Sequence, residues 1–185
     1  ALGAVLLFPV FCRDFGIKGI WMSVFHSISA FCNAGFDILG TTDHTFVSLT
    51  GYSRNIWLNI VIMLLIILGG IGFLTWEDFY TNKFKFKRYR MQSKVILITT
   101  AILIIAPAVF FFACDFGNLP AGKRLLASVF QSVTTRTAGF NTEDLSLMTE
   151  AGKAVMILLM LIGGSPSSTC LLYTSPSPRD CSYLV

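Results

Sequence analysis

The stretch Ser23-Val-Phe-His-Ser-Ile-Ser-Ala-Phe-Cys-Asn-Ala-Gly-Phe36 returns about 105 residues later as Ser128-Val-Phe-Gln-Ser-Val-Thr-Thr-Arg-Thr-Ala-Gly-Phe140. A single gap at Phe31 brings Ser-Val-Phe, Ser and Ala-Gly-Phe into register in both copies. Each copy is a moderately apolar segment of about three helical turns that ends in a small-residue turn with a glycine. After a polar loop, a long apolar run follows each one. A short helix, a glycine turn and then a spanning helix is the pattern of a re-entrant pore loop.

Composition places this pattern in a bilayer. The chain is 54% hydrophobic and 13% charged, about half the usual charged share, with a mean hydropathy of +0.70. The net charge of +4 does not describe a nucleic-acid surface. Lys83, Lys85, Lys87, Arg88, Arg90 and Lys94 sit in one short gap between two apolar runs, as in a cytoplasmic loop under the positive-inside rule. The five cysteines (Cys12, Cys32, Cys114, Cys170, Cys181) show neither CxxC spacing nor a histidine at metal-ligand spacing, so neither a zinc site nor a disulfide framework is expected.

In chain order, Ala1 to Cys12 is apolar but shorter than the ~20 residues a span needs, and it reads as the end of a truncated helix in a fragment. The first pore-helix candidate runs from Gly19 to Cys32, followed by the turn Asn33-Ala34-Gly35-Phe36. Ile56 to Trp76 reads as the clearest spanning helix, with Gly69, Gly70 and Gly72 favouring close helix packing over a bend. Trp76 and Tyr80 read as interfacial anchors, and Glu77 and Asp78 as solvated rim residues or partner contacts. Val95 to Cys114 is a second uncharged run, which Pro107 is expected to kink. Gly122 to Thr135 is the second pore-helix candidate, with Thr137-Ala138-Gly139-Phe140 as its turn, and Ala154 to Ile162 begins another span. The breakers Gly163-Gly164-Ser165-Pro166 then interrupt that helix at membrane depth, where irregular backbone must line a cavity or be buried in protein. Gly163, Gly164 and Ser165 are therefore gate candidates. Residues 170–185 change character and look like translated adapter read-through, a non-native tail.

The two glycine turns and the helix break resemble the Ktr/Trk/HKT potassium-transporter superfamily, and within it the KtrB (TrkH-type) membrane subunits. His26-Ser-Ile-Ser-Ala-Phe-Cys-Asn-Ala-Gly-Phe36 is similar to that family's second pore loop. Gln131-Ser-Val-Thr-Thr-Arg-Thr-Ala-Gly-Phe-Asn-Thr142 is similar to its third, and Leu161-Ile-Gly-Gly-Ser-Pro-Ser-Ser-Thr169 to the start of its intramembrane gating loop. The resemblance implies an all-α integral membrane protein built from helix–pore loop–helix repeats of a potassium-channel-like pore, present here in part. Residues 1–82 would be the second repeat, 83–94 a basic cytoplasmic linker and 95–169 the third repeat. It further implies a multi-pass protein of the bacterial plasma membrane that takes up K+, with Na+ as a coupling or competing ion and no covalent cofactor. A homodimer in membrane lipid, served by a ring of cytoplasmic nucleotide-binding subunits of the KtrA/TrkA type, is implied as well. Two departures stand out: Ser167 occupies a position where the family usually has glycine, and the pattern is lost at Cys170. As written, the chain supplies at most half of a four-loop filter.

A carbonyl filter works by replacing an ion's hydration shell with main-chain oxygens, so backbone conformation matters more than side-chain identity. Gly35 and Gly139 would supply the conformational freedom. The carbonyls of Asn33, Ala34 and Gly35, and of Thr137, Ala138 and Gly139, are the expected ion ligands, with Phe36, Phe140 and Arg136 as support. Arg136 is expected to brace its loop by binding carbonyls or Glu143 or Asp144. His26 and Gln131 occupy equivalent places, which favours hydrogen-bonded packing over pH sensing. A broken-helix secondary transporter and a membrane enzyme using His26 and Cys32 are the alternatives. The first is disfavoured because both repeats dip from the same side. The second is disfavoured because Cys32 is matched by Arg136, which leaves no shared catalytic set.

Overall fold

The computed structural model describes residues 2–40, 48–82, 88–117, 119–136, 138–143, 145 and 148–162. Among them the chain is helical, with no strand: α1 (Leu2–Phe15), α2 (Lys18–Phe31), α3 (Ile56–Gly70), α4 (Phe73–Asn82), α5 (Met91–Cys114), α6 (Ala121–Thr134) and α7 (Glu150–Ile162), with a 3-10 turn at Thr50–Tyr52. The proposed gate, Gly163, Gly164 and Ser165, lies outside the described residues, as do Thr137, Asp144, His44 and 170–185.

The chain forms two helix–turn–helix units, α1–α2–α3 and α5–α6–α7, joined where α3 packs against α6. Gly16, at φ +58°, reverses the chain between α1 and α2, a conformation in which a side chain would be strained. Gly19 then lies directly on the backbone of Phe11 and Cys12, so that α2 folds back along α1 without a side chain between them. Asn55 caps α3, its side chain accepting from the Leu58 N–H at 3.2 Å. Leu7, Phe11, Leu58, Ile62, Phe130, Val133 and Phe140 form one core shared by the two units. A second cluster of Phe111, Ala127, Met148, Met156 and Leu159 holds α5, α6 and α7 together.

α5 runs unbroken through Pro107 for 24 residues and is long and apolar enough to cross a membrane. Along it Val95, Ile98, Ile102, Ile105 and Val109 form an exposed apolar stripe, which suits contact with lipid or further protein. The other run predicted to span, Ile56 to Trp76, is broken. α3 stops at Gly70, Gly72 takes φ +91°, and the chain resumes in a helix bent by 96° from the first. The glycines thus serve the bend as well as close approach: a Cβ on Gly70 would stand 3.4 Å from the Asn33 side-chain amide.

Asp78 also departs from the reading as a solvated rim residue or partner contact. It is 3% exposed and tied to the start of α5, where its carboxylate accepts from the Ser93 hydroxyl at 2.5 Å and the Arg90 N–H at 3.0 Å. The Arg90 guanidinium stands 3.5 Å from Asp78 and 3.3 Å from Glu77. A carboxylate placed over a helix N-terminus is favoured by the unpaired N–H groups there. The Ser93 hydroxyl foremost, then the Arg90 N–H and guanidinium, hold the Asp78 carboxyl below its ordinary pKa. A depressed folded-state pKa contributes stability that is present above the unfolded value and lost as pH falls through the folded one. Thermal stability is therefore expected to be insensitive to this group from neutral pH down to about 5 and to fall below about 4. In Asp78→Asn the acid-dependent part of that loss should shrink, a comparison that melting curves in detergent across pH can make.

Candidate functional site

The two turns predicted to carry the chemistry face each other. α2 ends at Phe31 and α6 at Thr134, and each chain enters its turn directly from the helix C-terminus. Gly35 has φ +71° and Gly139 φ +81°, the left-handed region that glycine alone reaches without steric cost. They touch: a Cβ on Gly35 would overlap the Ala138 carbonyl oxygen and lie 3.1 Å from the Gly139 Cα, while a Cβ on Gly139 would lie 3.6 Å from the Gly35 Cα. Ala34 and Gly35 are thus brought together with Ala138 and Gly139, from units about 105 residues apart in sequence. Each turn sits where the helix's partial negative charge accumulates, an environment suited to a cation.

The repeat extends to individual hydrogen bonds. The Ser29 carbonyl accepts from the Ala34 N–H at 2.9 Å, and its counterpart Thr134 accepts from the Ala138 N–H at 3.0 Å. The Ser29 hydroxyl donates to the Phe36 carbonyl at 2.8 Å, and the Thr134 hydroxyl to the Phe140 carbonyl at 2.6 Å. Earlier in the helices, Ser23 donates to the Gly19 carbonyl and Ser128 to that of Arg124, at 2.7 and 2.6 Å.

Other parts of the two sites differ. Phe140 is fully buried beside Ala138, whereas Phe36 is 70% exposed. Asn33 has φ +51°, and with its amide nitrogen turned inward it donates to the Ala30 and Ile66 carbonyls, each at 3.2 Å. Arg136 is buried. It and Asn33 border a cavity of about 10 Å³ together with Ile66, Gly70 and Ile104. Among the described residues its Nε has no hydrogen-bond partner and no ion pair joins it to Glu143. His26 and Gln131 are both buried. His26 Nδ1 donates to the Met22 carbonyl at 2.8 Å and its ring stacks on Phe11 at 4.9 Å, while Gln131 Nε2 donates to the Met156 sulfur at 3.3 Å. Cys12, Cys32 and Cys114 are free thiols, and among the described residues no group of three or more His, Cys, Asp or Glu could hold a metal ion.

A second repeated signal lies in the tripeptides Asp14-Phe15-Gly16 and Asp115-Phe116-Gly117, apart from the pore-helix candidates and their turns. In each unit this aspartate ties the end of the first helix to the segment leading into the last. Asp14 accepts from the Tyr52 hydroxyl at 2.7 Å just before α3. Asp115 accepts from the Thr149 N–H at 2.9 Å and hydroxyl at 2.5 Å just before α7. Burial, and then the bonded Asp14 carboxylate, push the Tyr52 phenol well above its ordinary pKa, so it stays a donor to that carboxylate. These two struts tie each unit together at the C-terminal end of its first helix.

The described residues form two like helical units, each with a glycine turn at a helix C-terminus, and the chain belongs to the TrkH family of cation transport proteins, which matches residues 1–171. This places it among membrane transport proteins rather than enzymes. It is 41% identical over 174 residues to the potassium/sodium uptake protein NtpJ of Enterococcus hirae, covering 91% of this chain and 37% of that protein. It is 34% identical over 177 residues to the Ktr system potassium uptake protein B of Vibrio alginolyticus, covering 91% of this chain and 38% of that one. With the protein of the same name from Bacillus subtilis it shares 37% identity over 158 residues, covering 82% of this chain and 34% of the relative. The chain thus spans between 34% and 38% of the length of these relatives.

Proposed function

We propose that this chain is part of the translocating subunit of a potassium-uptake system in the bacterial plasma membrane, supplying two of the loops of a carbonyl-lined selectivity filter. The observation that carries the reading is the contact between the Gly35 and Gly139 turns, each at positive φ and each fed by a helix C-terminus. The carbonyls of Asn33, Ala34 and Gly35 and of Thr137, Ala138 and Gly139 coordinate the dehydrated ion, and main-chain oxygens held by the surrounding helices discriminate by number and field strength. Gly163, Gly164 and Ser165 form the gate. Residues 1–82 and 95–169 act as successive repeats of a multi-pass subunit, with 83–94 on the cytoplasmic side. The names of the Vibrio and Bacillus relatives refer to a Ktr system, which supports assembly with further subunits; in this reading the subunit is a homodimer and its partners form a cytoplasmic nucleotide-binding ring. The name of the Enterococcus relative includes sodium, which supports Na+ as the coupling or competing ion.

The test is rescue of a potassium-uptake-deficient bacterium by the complete gene that carries this chain. Growth at low potassium is expected, and failure despite membrane expression would overturn the reading. In the same assay Arg136→Gln should lower expression or ion affinity, because Arg136 is buried two residues before Ala138 and borders one small cavity with Asn33 and with Ile66 and Gly70 of α3. Wild-type uptake from that variant would remove the bracing role.

A further inference from the structure

We infer that Ser29 and Thr134 are positioning residues that set the outer limit of the ion path, each gripping its filter turn on both sides of the glycine. The inference rests on the carbonyl-filter reading and deepens it. In each unit one residue makes both bonds. Its own carbonyl accepts the N–H of the alanine before the glycine, Ala34 or Ala138. Its hydroxyl takes the carbonyl of the phenylalanine after the glycine, Phe36 or Phe140. The two residues are 5% and 3% exposed, so water does not compete effectively for these bonds. The hydroxyl-to-carbonyl separation is seven residues in the first unit and six in the second. The contact is thus kept despite the one-residue difference between the copies at Phe31, which a mere consequence of helix spacing would not achieve.

The chemical consequence concerns which oxygens can face an ion. A carbonyl held by a buried hydroxyl has its direction fixed toward the donor. The Phe36 and Phe140 oxygens are drawn back onto α2 and α6, and the carbonyls before them are left to form the ligand set. Without the hydroxyl, the peptide after the glycine can rotate, since glycine offers little resistance on its other side. An additional, loosely held oxygen then joins the path. Selectivity depends on the cavity the oxygens define and on their number and field strength, and oxygens no longer held apart can close around the smaller Na+, which gains most from the looser arrangement.

The experiment uses the complete transporter carrying Ser29→Ala with Thr134→Val, the latter keeping the threonine's shape. Potassium and sodium uptake are measured in competition after reconstitution into liposomes. Preference for K+ over Na+ should fall about five- to tenfold, the equivalent of one or so kcal/mol of hydrogen bonding, and Ser29→Thr with Thr134→Ser should retain it. Ser23→Ala with Ser128→Ala removes a hydroxyl at equivalent points of the same helices without touching the turns, and its preference should stay unchanged. If the double variant folds poorly, Ser29→Ala alone and Thr134→Val alone give the same reading, each with a smaller loss. An unchanged preference in the hydroxyl-less variants, or an equal loss in the Ser23/Ser128 control, would overturn the inference. Replacing Gly35 by serine in parallel separates the levels. A Gly35→Ser protein that keeps its K+ preference sinks the filter reading itself, whereas loss there with no effect at Ser29 and Thr134 sinks only the grip.

Discussion

Gly35→Ala is expected to abolish selective potassium uptake, and Gly139→Ala to weaken it far less. Both substitutions put an L side chain at positive φ, which costs about 1–2 kcal/mol. The surroundings then separate them. At Gly35 the new methyl would overlap the Ala138 carbonyl oxygen, a backbone atom, and press to 3.1 Å on the Gly139 Cα. That oxygen is one of the proposed ligands in the opposite turn, so relieving the overlap must move it. Among the described residues the methyl at Gly139 would meet only the Gly35 Cα, at 3.6 Å, an ordinary contact. The two variants thus carry similar backbone strain and differ in whether a filter oxygen is displaced. Uptake kinetics in the uptake-deficient strain should show Gly139→Ala with reduced affinity and Gly35→Ala without K+ preference. Equal effects at the two positions would mean that the turns do not meet as described.

The second large effect concerns folding. Gly19→Ala should destabilise the α1–α2 hairpin by about 1–3 kcal/mol, the cost of forcing atoms into a packed interior. A Cβ at Gly19 would fall within 2.6 Å of the Cys12 nitrogen and against the Phe11 carbonyl. Both are helix backbone, and neither can swing aside as a flexible side chain would. The displacement would also reach the filter, because Phe11 stacks on His26 about two helical turns before the first filter residue, Asn33. Gly122→Ala is the contrasting case. Among the described residues nothing lies within 4 Å of a Cβ at that position, and alanine in a helix is favoured over glycine by about 0.5–1 kcal/mol. Melting temperatures in detergent should fall for Gly19→Ala and hold or rise for Gly122→Ala. A Gly19→Ala protein as stable as the parent would mean that α2 does not lie against α1 as described.

The short helices were the most legible part of the sequence. Gly19 to Cys32 and Gly122 to Thr135 differ from α2 and α6 by one residue at each end, because Pro120 and the glycines around these segments punctuate the chain and the repeat supplies a second reading of each boundary. The break after Gly70 was not legible. The apolar run continues to Trp76, and hydropathy records which residues tolerate lipid without recording where the backbone turns. The burial of Asp78 is hidden in the sequence for another reason: its partners, Arg90 and Ser93, lie 12 and 15 residues away, beyond a basic loop that suggests only solvent. The contact between Gly35 and Gly139 could be expected from matching motifs. The grip of Ser29 and Thr134 could not, since a serine or threonine in a helix usually bonds to its own preceding turn, as Ser23 and Ser128 do.

The most direct test of the carbonyl filter is to locate the ion. Crystals of the complete transporter soaked in rubidium, a potassium stand-in with anomalous scattering, should show a peak within coordination distance of main-chain oxygens in both glycine turns, including those of Gly35 and Ala138. A peak held by side chains elsewhere, or none between the turns in protein that still takes up rubidium, would contradict it.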